Sequence, residues 1–173
     1  RTGTIPDLDQ LEIALNGFHY ASLQETLSRG NGDRAIVTEH LQVEIDLVNI
    51  STALRLARLP GIATLVRQRY NATDVGPLLI EPGGHLRTGR LARVVSEAGG
   101  LGGVVRGLSD TRYGPALEAG WKRYQSGEGN FGVLERELER WQAEGKTDET
   151  SRRDDERDRR RYIEGKYADI IEH

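Results

Sequence analysis

Cysteine is absent from the 173 residues. That excludes disulfides, thiolate nucleophiles and zinc sites built on cysteine. Methionine is absent too, so Arg1 is not a translation start, and a longer natural N-terminus is expected. No apolar run approaches the roughly 18 residues that a membrane-spanning helix needs, and no signal-peptide pattern is visible. Neither sign of charge dominates: the formal net charge is −3. Such a balance gives no global drive toward nucleic acid or an anionic membrane. Catalytic signatures are missing as well. There is no metalloprotease helix motif, no nucleophile elbow and no phosphate-binding lysine loop. The glycines at Gly99, Gly100, Gly102 and Gly103 follow a helical pattern rather than a strand, so they read as a connection between helices. His40 and Glu44 are one helical turn apart, but no third ligand stands nearby. No metal, cofactor or catalytic residue is therefore assigned. Asn49 and Asn71 open glycosylation triplets, and Asn49 lies in a helix expected to be buried, so that triplet carries no meaning.

What the chain does contain is helical periodicity. Leu8, Leu11, Leu15 and Phe18, continued by Leu23 and Leu27, mark an amphipathic helix from about Asp7 to Ser28. Gly30, Asn31 and Gly32 end it. A second helix is expected from about Asp33 to Leu59. Its apolar residues, from Leu41 through Ile45, Val48 and Ile50 to Leu56, nearly encircle it, so it should be central and mostly buried. Pro60 and Gly61 stop it. Residues 60 to 86 look irregular, with a turn at Asn71 to Asp74 and a short apolar run, Leu78 to Ile80. A strand there would be isolated, with no partner for its backbone. Short helices follow at Leu86 to Val95 and at Leu101 to Leu108. Longer ones are expected from about Arg112 to Ser126 and from about Asn130. The fold class is all-α, an irregular bundle of short and medium helices. Leu11 to Leu15 and Leu134 to Leu138 both read Leu-Glu-x-x-Leu, which could mark a repeated helical unit.

Residues 1–143 form the expected helical domain and residues 144–173 a charged helical tail. Ser151 to Arg161 is charged at almost every position. Pairs such as Asp155 with Arg159 can support a solvated helix at about 0.2–0.5 kcal/mol each. The acids among the arginines weaken any field for nucleic acid, and only Tyr162 offers a nearby ring.

Glu44, Asp46 and Asn49 stand out inside the second helix. Burying such groups costs several kcal/mol unless they are hydrogen-bonded. They read as structural fasteners that hold neighbouring helix ends or backbone groups. A catalytic reading would need a second acid in a cleft, and none is evident.

The stretch from Glu44 to Arg55 fits the pattern E-x-D-x-x-N-(L/I)-x-x-x-(L/F)-(R/K). An apolar step and a Gly-Gly turn follow, Leu78 to Leu86, with Gly83 and Gly84 at the turn. Then come a short helix, a Thr-Arg-Tyr-Gly turn ending in Gly114, and the Leu134 to Leu138 helix start. In this order the motifs resemble the C subunit of archaeal and vacuolar-type ATPases, the d subunit of the eukaryotic enzyme, over its C-terminal half. The resemblance covers about residues 7 to 141. Past Trp141 the chain departs from the family pattern and runs into charge.

That resemblance implies a funnel of similar helical units and a non-catalytic subunit. It implies a link between the central-shaft subunits and the membrane proteolipid ring of a rotary ATPase. It also implies a cytoplasmic place, peripheral to the membrane and held there by protein partners, with no nucleic acid and no small-molecule substrate. Two other readings stay open: a free-standing helical adaptor or scaffold, and a nucleic-acid binder acting through the arginine-rich tail.

Overall fold

The structure, a computed structural model, describes residues 8–29, 34–81, 84–128 and 130–145. Gly83, the turn at Gly30 to Gly32 and the charged tail from residue 146 onward lie outside the described residues. The contacts divide the chain into two compact units, Arg1–Gly114 and Pro115–His173.

In the first unit, α1 (Leu8–Arg29) is followed by α2 (Arg34–Leu56), α3 (Ile62–Tyr70), α4 (Thr88–Glu97) and α5 (Leu101–Gly107). A 3-10 turn, Gly76–Leu78, precedes α4. No strand occurs among the described residues. The chain is all-α, as the periodicity indicates.

α2 is the central element and packs against α1, α4 and α5. Its apolar residues explain that position. Ile45, Ile50, Ala53 and Leu54 have no exposed surface. A helix that is apolar on nearly all sides lowers its free energy only when it is covered on several sides at once. α4 supplies one cover through Leu91, Ala92 and Val95, and α5 supplies another through Leu101, Val104 and Val105, all of them buried.

α1 differs from expectation. Three residues of its expected apolar stripe do not face the core: Leu15, Phe18 and Leu23 are 58%, 74% and 38% exposed. The face that meets α2 instead carries Tyr20, which packs on Leu41, Ile45 and Ile80. α1 packs on α2, and this contact leaves Leu15, Phe18 and Leu23 uncovered. Periodicity finds an apolar face but not whether anything lies against it.

α3 is a helix where irregular chain was expected. Only Val66 of its nine residues is buried. A short helix so exposed needs no three-four apolar stripe and therefore leaves little pattern. Gly61 and Asn71, both in the left-handed region (φ 75° and 50°), bound it. The Gly99–Gly100 pair does join α4 to α5, while Gly102 and Gly103 lie inside α5.

The second unit holds most of α6 (Gly114–Gln125) and α7, residues 132–145. A Cβ on Gly120 would stand 2.9 Å from the Leu134 Cα, so a glycine lets the two helices approach closely. Glu137, nearly buried, accepts from Arg123 Nη1 at 2.6 Å and Arg140 Nη1 at 3.2 Å. Leu134 and Leu138 are buried here, whereas Leu15 in the matching Leu-Glu-x-x-Leu stretch is exposed. The two stretches share a pattern but not an environment.

Truncating Ile45 to alanine should cost about 3 kcal/mol, the transfer loss plus a cavity. Urea unfolding followed by far-UV circular dichroism measures it. Phe18→Ala, on the uncovered face of α1, should stay within about 0.5 kcal/mol of the parent in the same experiment.

Candidate functional site

Glu39, Gln42, Asp46 and Asn49 recur at three- and four-residue spacing, which sets them on one side of α2. The ends of the segment that leads from the 3-10 turn into α4 meet this side. Asn49 meets Ile80, and Asp46 meets Gly84, His85 and Leu86.

Asn49 is fully buried. Its Nδ2 donates to the Ile80 carbonyl at 3.1 Å, and its Oδ1 accepts from the Ile80 N–H at 2.7 Å. Leu79 just before it is extended, with φ −103° and ψ 153°. The side-chain amide thus does for Ile80 what a neighbouring strand would do: it occupies both backbone groups. That is why the extended, apolar Leu79 and Ile80 can be buried with no sheet.

Asp46 is also fully buried and gathers more donors. Its carboxylate accepts from the His85 N–H at 3.0 Å and from the Leu86 N–H at 3.0 and 3.2 Å. The Tyr113 hydroxyl donates to it at 2.8 Å. Burial pushes the Asp46 carboxyl above its usual range, and the donors from Leu86, Tyr113 and His85 work against that. The Tyr113 ring has no exposed surface, and burial, with Asp46 beside it, raises its phenol strongly. The proton therefore stays on the tyrosine, which acts as a donor.

Gly84 makes this approach possible. A Cβ there would lie 2.0 Å from the Gln42 carbonyl oxygen and 2.6 Å from Asp46 Oδ1. Gly114 serves the other arm. A Cβ on it would lie 2.2 Å from the Ser109 carbonyl oxygen. The Gly114 N–H donates to the Thr111 carbonyl at 3.0 Å, closing the turn that carries Tyr113.

One level closer to the surface, Glu39 takes His85 Nε2 at 2.9 Å and Arg112 Nη1 at 2.7 Å. The hydrogen bond from Arg112, helped by His85, holds its carboxyl below the usual range. Glu39 and Asp46 thus grip the same two stretches, one outside and one inside: His85 with Leu86, and Arg112 with Tyr113.

Glu44 behaves otherwise than expected. It is exposed, and its carboxylate accepts the Tyr20 hydroxyl at 3.4 Å, a surface link to α1. At i−2 from Asp46 it faces away from the fastened side. His40 is exposed as well, and no three metal-ligating side chains gather among the described residues. Sequence reasoning missed Glu39, His85, Arg112 and Tyr113. One signal was available for Glu39, since seven residues before Asp46 is two turns along the same face. The other three could be placed only by the fold.

Chemically the arrangement is a joint. Both Asp46 oxygens are occupied by donors from the chain itself, and the group has no surface. A carboxylate so enclosed is not open to a substrate from solvent. What it does is bind two separate stretches of chain, His85 with Leu86 and the turn at Tyr113, to α2.

Comparisons with known proteins point the same way as the motif order. The family model described as ATP synthase (C/AC39) subunit matches residues 3–152. The C subunit of the A-type ATP synthase of Desulfurococcus sp. (strain SY) is 34% identical over 112 residues. That alignment covers 64% of this chain and 27% of the relative, so the chain matches about a quarter of that protein's length. No solved structure matches.

Replacing Asp46 by alanine strands two N–H groups and a phenol in the interior and should cost about 4 kcal/mol. Asp46→Asn should cost about 2 kcal/mol, because either amide orientation sets a donor against a backbone N–H. Equilibrium urea unfolding ranks the two. Gly84→Ala should cost about 3 kcal/mol by overpacking, in the same assay. The pH dependence separates the two acids. Glu39, with its lowered value, contributes stability above the ordinary glutamate range and loses it as pH falls through that lowered value. Asp46, with its raised value, contributes most below the ordinary aspartate range and loses that as pH rises through the raised value. Thermal unfolding of the parent and of Glu39→Gln should therefore differ most near neutrality, and the gap should close on going from about pH 7 to about pH 3.

Proposed function

Because the chain belongs to the ATP synthase (C/AC39) subunit family, we propose that it is a non-catalytic coupling subunit of a rotary ATPase. It connects the central-shaft subunits to the membrane proteolipid ring. The supporting observation is the joint on α2. A part that passes torque between two partners must resist deformation. Buried polar groups with every donor and acceptor matched open only at high cost, because each broken bond leaves a desolvated group unpaired. The chain invests its buried acids in such matches rather than in an open cleft.

Attachment to the membrane runs through protein partners on this reading. Among the described residues no helix is long and apolar enough to cross a bilayer. The chain transmits ion-driven rotation without turning over ATP itself.

The test is reconstitution with the shaft subunits and the detergent-solubilised proteolipid ring of a rotary ATPase. The chain should co-elute with both in size-exclusion chromatography and show no ATP hydrolysis alone. Elution apart from both partners would overturn the reading. A pulldown that returned only unrelated soluble proteins would favour the adaptor reading instead.

A further inference from the structure

We infer that the groove at the start of α4 is a docking site for an acidic segment of a partner protein. The groove encloses about 590 Å³ and is lined by Arg87, Arg90 and Arg93, with Thr88, Gly89 and Glu81 among them. This volume lies within the range of ligand-binding clefts, roughly 300–1,000 Å³, and exceeds what a single small anion fills.

Three arginines converge here within a chain whose formal charge is −3. The positive patch is thus local rather than a by-product of a basic protein. Like charges one turn apart on a helix destabilise it slightly, and the nearby acids relieve only one of the three. Arg90 pairs with Asp110 and donates to the Gly107 carbonyl at 3.3 Å, which fixes its position. Glu81, the acid in the wall, is engaged by the Thr88 hydroxyl. Among the described residues Arg87 and Arg93 have no ion-pair partner. Both are exposed.

The walls also choose among anionic partners. Among the described residues no aromatic ring lines the groove, so a nucleic-acid strand finds no stacking platform there. No exposed large hydrophobic residue of the described chain belongs to it either, so a lipid headgroup would bring its acyl chains to a polar rim. A carboxylate-bearing protein segment meets neither objection. Each guanidinium fork matches a carboxylate with two parallel hydrogen bonds. Arg90 and Arg93 are one turn apart on α4, a rise of about 4.5 Å, and Arg87 caps the helix just before them. A partner helix with acids at three- and four-residue spacing offers carboxylates on the same scale. The groove borders the joint at Gly84, but its three arginines take no part in the contacts of Asp46.

The probe is a fluorescein-labelled helical peptide of about 12 residues, ~18 Å long, carrying glutamates at three- and four-residue spacing. Its anisotropy is titrated with the full chain at low salt. Saturable binding is expected, weakening as salt rises. Arg87→Gln with Arg93→Gln should weaken it about tenfold with an unchanged thermal midpoint. Arg67→Gln with Arg69→Gln, on α3, should leave it unaltered. If the double variant loses its fold, Arg93→Gln alone gives the reading and should still weaken binding. Absence of saturable binding, equal weakening by the α3 pair, or tighter binding of oligo-dT or of phosphatidylserine vesicles would overturn the proposal.

Discussion

The Asp46 carboxylate is the group on which the first unit turns. It sits in the middle of α2 without exposed surface. In that place an ionised acid is tolerated only if the chain delivers donors to it, since its desolvation costs several kcal/mol. Three donors arrive, two from the backbone at His85 and Leu86 and one from Tyr113. Each comes from chain that is distant in sequence. Satisfying the acid therefore folds the chain around it. His85 and Leu86 must lie against α2, and the turn after α5 must bring Tyr113 inward.

Several features that look independent are consequences of this one need. Gly84 has no side chain because the backbone presses on α2 at Gln42 and Asp46. Gly114 has none because the turn behind Tyr113 closes on Ser109. Asn49, one turn beyond Asp46, settles Ile80 by occupying both its backbone groups. Glu39 repeats the grip at the surface on the neighbours His85 and Arg112. The outer pairs add little energy because water screens them. They do hold the same two stretches in register with the inner ones.

Charge is sorted by depth in this unit. The key acid of α2 points inward, where the chain itself supplies every partner. Arg87, which caps α4, and Arg93 within it point outward, where they have no ion-pair partner among the described residues. An inward acid that is fully matched stiffens the body, while outward cations that are unmatched leave binding capacity at its surface.

The sequence by itself determined that the chain is helical, which helix is central, and where most of the breaks fall, because periodicity and glycine punctuation act locally along the chain. It also marked Asp46 and Asn49, since a polar group amid encircling apolar residues stands out at once. It was silent about α3, whose single buried residue leaves no stripe, and it misjudged Glu44, which shares the helix with Asp46 but faces away. Only the tertiary structure decided which donors meet Asp46 and Glu39, that α1 leaves Leu15 and Phe18 uncovered, and that three arginines converge on one groove. Those outcomes depend on pairing residues up to 73 positions apart, as Arg112 with Glu39. Local pattern carries no information about which distant segment folds back to complete a contact.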